Sequence, residues 1–234
     1  MSKSKKGIAC LSGNALKIFA LVAMTFDHIG VHLFPFTLWL RVVGRLSFPI
    51  FAYMIAEGAT YTKNRVRYLS LMSAFAVVIQ IVLYIAVGSL YMSIFFAFSL
   101  SLCLILSLDL AIERKTWPAI TLAVLVWLAV AFVSGVLPEL NTGTDFFVDY
   151  GPVGVLIPAV LYYLKGKWKK LLALALLLAP LAMYALLPVQ WYAYLALIPL
   201  ALYNGKRGKY KLKYFFYLYY PLHLAVIYAI SMLI

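Results

Sequence analysis

Nine apolar runs separated by short basic clusters constrain this chain more than any other feature. They cover approximately residues 14–34, 39–60, 68–88, 91–112, 117–136, 151–164, 170–187, 190–203 and 214–234. Roughly 20 apolar residues in helical form cross the hydrocarbon core of a bilayer. Among 234 residues, 66% are hydrophobic and 12% charged, whereas soluble domains are about 45–50% apolar and about 25% charged. The chain is therefore read as an all-α integral membrane protein, a polytopic bundle of about nine transmembrane helices, with eight to ten as the range. Three runs, 151–164, 170–187 and 190–203, are short and contain Pro158, Pro180 and Pro199, so tilted, kinked or re-entrant paths are expected there. Residues 1–13 are read as a cytoplasmic tail and 14–234 as one transmembrane domain.

Orientation follows from where the cations fall, because Lys and Arg are retained on the cytoplasmic side. With the amino terminus inside, the inner segments hold Lys3, Lys5 and Lys6; Lys63, Arg65 and Arg67; Arg114 and Lys115; Lys165, Lys167, Lys169 and Lys170; and Lys206, Arg207, Lys209, Lys211 and Lys213. No outer loop then carries a basic residue, while the outer loop after Leu137 holds Glu139, Asp145 and Asp149. The carboxyl terminus is expected outside, and the protein in the inner, cytoplasmic membrane as a multi-pass chain. The net charge of +13 is accounted for by this topology, so no nucleic-acid partner is expected. Cys10 and Cys103 form neither a disulfide framework nor a metal-ligand pattern. No soluble catalytic domain has room here, and any chemistry must come from side chains within or at the rim of the bilayer.

A charge at mid-bilayer costs roughly 2.5–3.5 kcal/mol even on mild insertion scales, which makes each intramembrane ionisable residue a candidate for function. These are Lys17, Asp27, His28, His32, Arg41, Arg45, Glu57, Asp109 and His223. At a helical rise of 1.5 Å, His28 lies roughly 21 Å above the inner edge of a core about 30 Å thick, and Arg45, descending on the next helix, roughly 8 Å below the outer edge. Asp27, His28 and Arg45 are thus expected at one level. Adjacent Asp27 and His28 point about 100° apart, so Asp27 is expected to pair with Arg41 or Arg45, leaving His28 free as a general base. His32, four residues on, shares the face of His28. His223 follows Pro221, whose missing N–H opens the backbone ladder. Glu57 either meets a ligand or pairs with the Lys63–Arg67 cluster, and Asp109 is expected to pair with Arg114 or Lys115. Tyr220 completes the candidate binding set.

Three stretches, LKIFALVAMTFDHIG (16–30), LRVVGRLSFPIFAYMIAEGATYTKNRVRYL (40–69) and KYFFYLYYPLHLAVIY (213–228), resemble the TraX-type family of membrane acetyltransferases, named for the enzyme that acetylates the amino terminus of conjugative pilin. That family in turn resembles the membrane acyltransferases that carry an Arg eleven residues before an essential His; here Lys17 and His28 have that separation, with the bidentate fork of Arg lost. The resemblance implies that His28 is the acyl-transfer histidine, that Arg41, Arg45, Glu57 and His223 line its cavity, and that acetyl-CoA is the donor, with no metal. Cytoplasmic acetyl-CoA would dock on the basic segments at 165–170 and 204–213, and an amine or hydroxyl acceptor (peptide, glycan or lipid head group) would approach from outside. The competing expectation is a proton-coupled transporter in which the same ionisable groups form a relay.

Overall fold

The computed structural model describes residues 9–185, 188–210 and 212–233. Lys3, Lys5, Lys6 and Lys211 lie outside the described residues, as does most of the expected tail. The described chain is helical, with two isolated bridges but no named strand among the described residues. Among the described residues, five helical stretches are long and apolar enough to cross a membrane: Gly13–His32, Leu38–Tyr61, Arg65–Val87, Ile94–Arg114 and Trp117–Leu140. The chain separates into two compact units, residues 1–54 with 166–234, and residues 55–165.

In the first unit, α1 (Gly13–His32) begins at Ser12, whose hydroxyl accepts from Ala15 N–H at 3.2 Å. Its first amides are satisfied by a distant loop: Gly13 and Asn14 N–H donate to the carbonyls of Lys206 and Arg207, each at 2.8 Å. The basic 204–210 loop is thereby pinned to the start of α1. The second expected span divides into α2 (Leu38–Gly44) and α3 (Ser47–Tyr61). Pro49 explains the break, because its ring excludes the carbonyl of Arg45 and supplies no N–H to it. Arg45 consequently sits at the junction. α1 packs on α2, and Gly44 makes this possible, since a Cβ there would overlap the Asp27 side chain.

The same unit contains α9 (Lys167–Ala185), a 3₁₀ helix at Pro188–Ala196, and, following them, α10 (Leu197–Ala201) and α11 (Lys213–Ser231). The expected run at 190–203 is therefore not one α-helix. Pro199 cannot bond the Leu195 carbonyl, and nine residues are wound as 3₁₀, well beyond the three or four usual for that geometry. α11 packs on α1, and the 3₁₀ helix packs on α2 and α9.

In the second unit, α4 (Arg65–Val87) starts at Asn64, whose Oδ1 accepts from Arg67 N–H at 2.8 Å, and stops at Gly88 in the left-handed region, φ 67°. α5 (Ile94–Arg114) packs against α4, against α6 (Trp117–Ala131), and against α8 (Gly151–Tyr163). Close approach of α5 and α8 uses a small polar residue: the Ser101 hydroxyl lies 2.6 Å from the Val155 carbonyl oxygen. A π-helical turn at Phe132–Val136 leads from α6 into α7 (Leu137–Leu140).

One expected pairing is corrected here. Asp109 pairs with Arg65 at 2.5 Å, rather than with Arg114 or Lys115, and accepts from the hydroxyls of Tyr162 at 2.8 Å and Tyr163 at 2.9 Å. Residues five and six positions along a helix are not on the face of Asp109, which reaches only positions three and four away.

Candidate functional site

The candidate residues of the first unit form two adjoining clusters on α1. At Asp27, one carboxylate serves two guanidinium groups: Arg45 Nη2 donates to both oxygens at 2.7 and 2.6 Å, and Arg41 Nη1 lies 3.1 Å from Oδ1. The expectation named either arginine, and the structure brings both. Arg45 is only 8% exposed, so burying its charge depends on Asp27. Its Nη1 turns the other way and donates to Gln190 Oε1 at 3.0 Å. Gln190, on the 3₁₀ helix, carries no charge and so is not among the ionisable groups that the sequence marks out.

The second cluster centres on His28. His28 Nδ1 lies 2.7 Å from His223 Nε2, and His223 Nδ1 lies 2.9 Å from the carbonyl oxygen of Tyr219. A carbonyl only accepts, so His223 Nδ1 must hold the proton; in the neutral pair its Nε2 then accepts from His28 Nδ1–H. His28 is left with the lone pair on Nε2. His223 is 7% exposed, and Tyr219 stacks on it at 5.2 Å between centroids. Tyr220 stands edge-on to both histidines, 5.4 Å from His223 and 6.3 Å from His28. The Tyr219 hydroxyl is 2.8 Å from Thr25 Oγ1, which ties α11 to α1 a turn away from the histidines.

His32 lies 6.3 Å from His28 by ring centroid and packs on Tyr228 at 4.7 Å. Lys17 is three helical turns nearer the start of α1, with its ammonium 5.5 Å from the Phe216 ring. Glu57 is buried on the part of α3 that belongs to the second unit. Two cations of the expected 165–170 dock are occupied within the first unit. Lys167 donates to the carbonyls of Ala201 and Tyr203 at 2.8 and 3.3 Å, and Lys170 is buried 5.8 Å from the Tyr53 ring. Lys165, Lys169, Lys206, Arg207 and Lys209 are exposed.

An imidazole on one helix, oriented by a second ring on another and flanked by one carboxylate that holds two arginines, is an arrangement that can move a proton. The family described as TraX protein matches residues 12–231. The chain belongs to the TraX family. It is similar, at 26% identity over 93% of this chain and 94% of the relative, to the probable fimbrial assembly protein FimC, serogroup H1, of Dichelobacter nodosus. A shorter likeness, 45% over 38 residues and 16% of this chain and 15% of the relative, is to an uncharacterized protein of Rickettsia prowazekii (strain Madrid E). No solved structure matches the chain. This TraX protein thus has a membrane-type helical fold carrying paired histidines and a partly buried carboxylate–arginine cluster.

Proposed function

We propose that this TraX protein is a transmembrane acetyltransferase of the inner membrane, with its amino terminus cytoplasmic and its carboxyl terminus outside. It moves an acetyl group from cytoplasmic acetyl-CoA to an amine or hydroxyl at the outer side. The observation that carries this reading is the chain from His28 through His223 to the Tyr219 carbonyl. It supports a base at His28 Nε2 whose orientation is held by His223, since an imidazole bound at one nitrogen presents the other to a substrate proton. Asp27 with Arg41 and Arg45 holds α1 and α2 in register beside that base. The exposed cations Lys206, Arg207 and Lys209 offer the phosphates of acetyl-CoA charge-assisted contacts. The name of the Dichelobacter relative concerns fimbrial assembly, which favours a peptide amine of a surface-fibre subunit as the first acceptor to try.

Purified protein in detergent, given acetyl-CoA labelled in the acetyl group, is expected to release or transfer label slowly, and His28→Ala is expected to abolish this. Absence of both turnover and acetyl-CoA binding would instead favour proton-coupled transport.

A further inference from the structure

Gln190 is a buried amide that the reading above leaves without a task. It is 2% exposed, and its Nε2 has no hydrogen-bond partner among the described residues. Its orientation is determined by its neighbour: a guanidinium only donates, so the Gln190 oxygen must face Arg45 Nη1, 3.0 Å away, and Nε2 must face elsewhere. A buried N–H pair without an acceptor is costly, so a group of this kind in a native fold calls for an explanation. Arg45 meanwhile has Nη1 committed to Gln190 and Nη2 committed to Asp27. Accepting from a cation withdraws electron density from the amide and makes Gln190 N–H a stronger donor.

The geometry points to Gln190 Nε2 as the hydrogen-bond donor to the acyl carbonyl oxygen during transfer, a substrate-contacting residue through which the charge of Arg45 reaches the reaction. This rests on the acetyltransferase reading. The acceptor nitrogen or oxygen attacks the thioester carbon, forming the new C–N or C–O bond, while His28 Nε2 takes the acceptor's proton. The carbonyl π pair moves onto oxygen, where Gln190 N–H holds it. When the pair returns, the C–S bond breaks and the thiolate leaves with its electrons, taking the proton from His28 to give free CoA thiol. The unusual 3₁₀ winding of Pro188–Ala196 brings the amide to Arg45.

Gln190→Glu separates the two things this side chain does. It keeps an oxygen for Arg45 and deletes the N–H donors, whereas Gln190→Leu deletes both. In purified protein with labelled acetyl-CoA, both variants are expected to lose about a hundredfold in kcat, as for loss of one oxyanion donor, with KM for acetyl-CoA little changed. Should Gln190→Leu fail to fold, Gln190→Glu carries the test. A second reading is the infrared carbonyl band of bound, isotope-labelled acetyl-CoA, expected to lie at lower frequency in the wild type than in Gln190→Glu. Gln190→Glu turning over at the wild-type rate, with an unmoved band, overturns the assignment and leaves the acetyltransferase reading standing. A wild-type protein that does not bind acetyl-CoA overturns both.

Discussion

Each unit of this protein half-buries an aspartate on a helix and surrounds it with donors, but the two carboxylates are used differently. At Asp109 one oxygen takes Arg65 and the Tyr162 hydroxyl, the other the Tyr163 hydroxyl. One cation meets one anion, and the donors to it come from α4 and α8 and meet on α5. Asp27 faces two cations, next in sequence to a histidine hydrogen-bonded to another histidine, with an amide on the far side of Arg45 whose nitrogen has no acceptor among the described residues. A fully satisfied buried network rigidifies the fold, whereas an unpaired buried donor is costly. Under the proposed function the chemistry is assigned to the first unit, and Asp109 to holding helices together.

The sharpest way to break the comparison is to remove the base. His28→Ala is expected to lower acetyl transfer by about a thousandfold, within the range of general base catalysis, with a loss of about 1–3 kcal/mol of stability because buried His223 Nε2 loses its donor; an active variant would sink the assignment of His28. Next comes Asp27→Asn, which leaves two guanidinium groups without their carboxylate. A destabilisation of about 3–5 kcal/mol is expected, read as lower thermal or denaturant resistance in detergent, together with loss of activity. His223→Ala is expected to slow transfer by about ten- to a hundredfold, because His28 keeps its ring but loses the partner that orients it; steady-state rates at fixed acetyl-CoA measure this.

Asp109→Asn sharpens the contrast from the other side. The Arg65 side chain is 33% exposed, so solvent screens the pair and only about 1–2 kcal/mol of stability is expected to go, with transfer retained by the folded fraction. A large drop in kcat without a change in melting would show that the clamp takes part in chemistry. The smallest effect concerns Asp145, in the loop before α8. The Ser89 hydroxyl and the Leu90 N–H hold its carboxyl below the ordinary carboxylate value. Because the folded state lowers it, this tether is present above the ordinary value and lost as pH falls through the depressed one. Protection of the Leu90 amide from hydrogen exchange should therefore persist at mildly acidic pH and disappear only below the usual carboxylate range.

Much of the first cluster was legible from local rules. Helical rise placed Asp27 and Arg45 at one depth, and the 100° step between neighbours turned Asp27 away from His28 and toward α2; the ion pairs follow that reading. The break at Arg45 had its signal in Pro49. The partner of Asp109 was misread because proximity in sequence stood in for helical phase. Gln190 carried a signal too, as a lone amide in an apolar stretch, which a search confined to charges passes over.

What the sequence determined by itself is the membrane-type helical character and the list of groups costly enough to need partners, because hydropathy and the energy of a buried charge act residue by residue. Only the tertiary structure decided that His28 meets His223, 195 positions away, and that Arg45 meets Gln190 rather than a second carboxylate. Those choices depend on how α1, α2, α11 and the 3₁₀ segment pack. Packing sets which side chains come within hydrogen-bond reach, and helical periodicity alone carries no information about it.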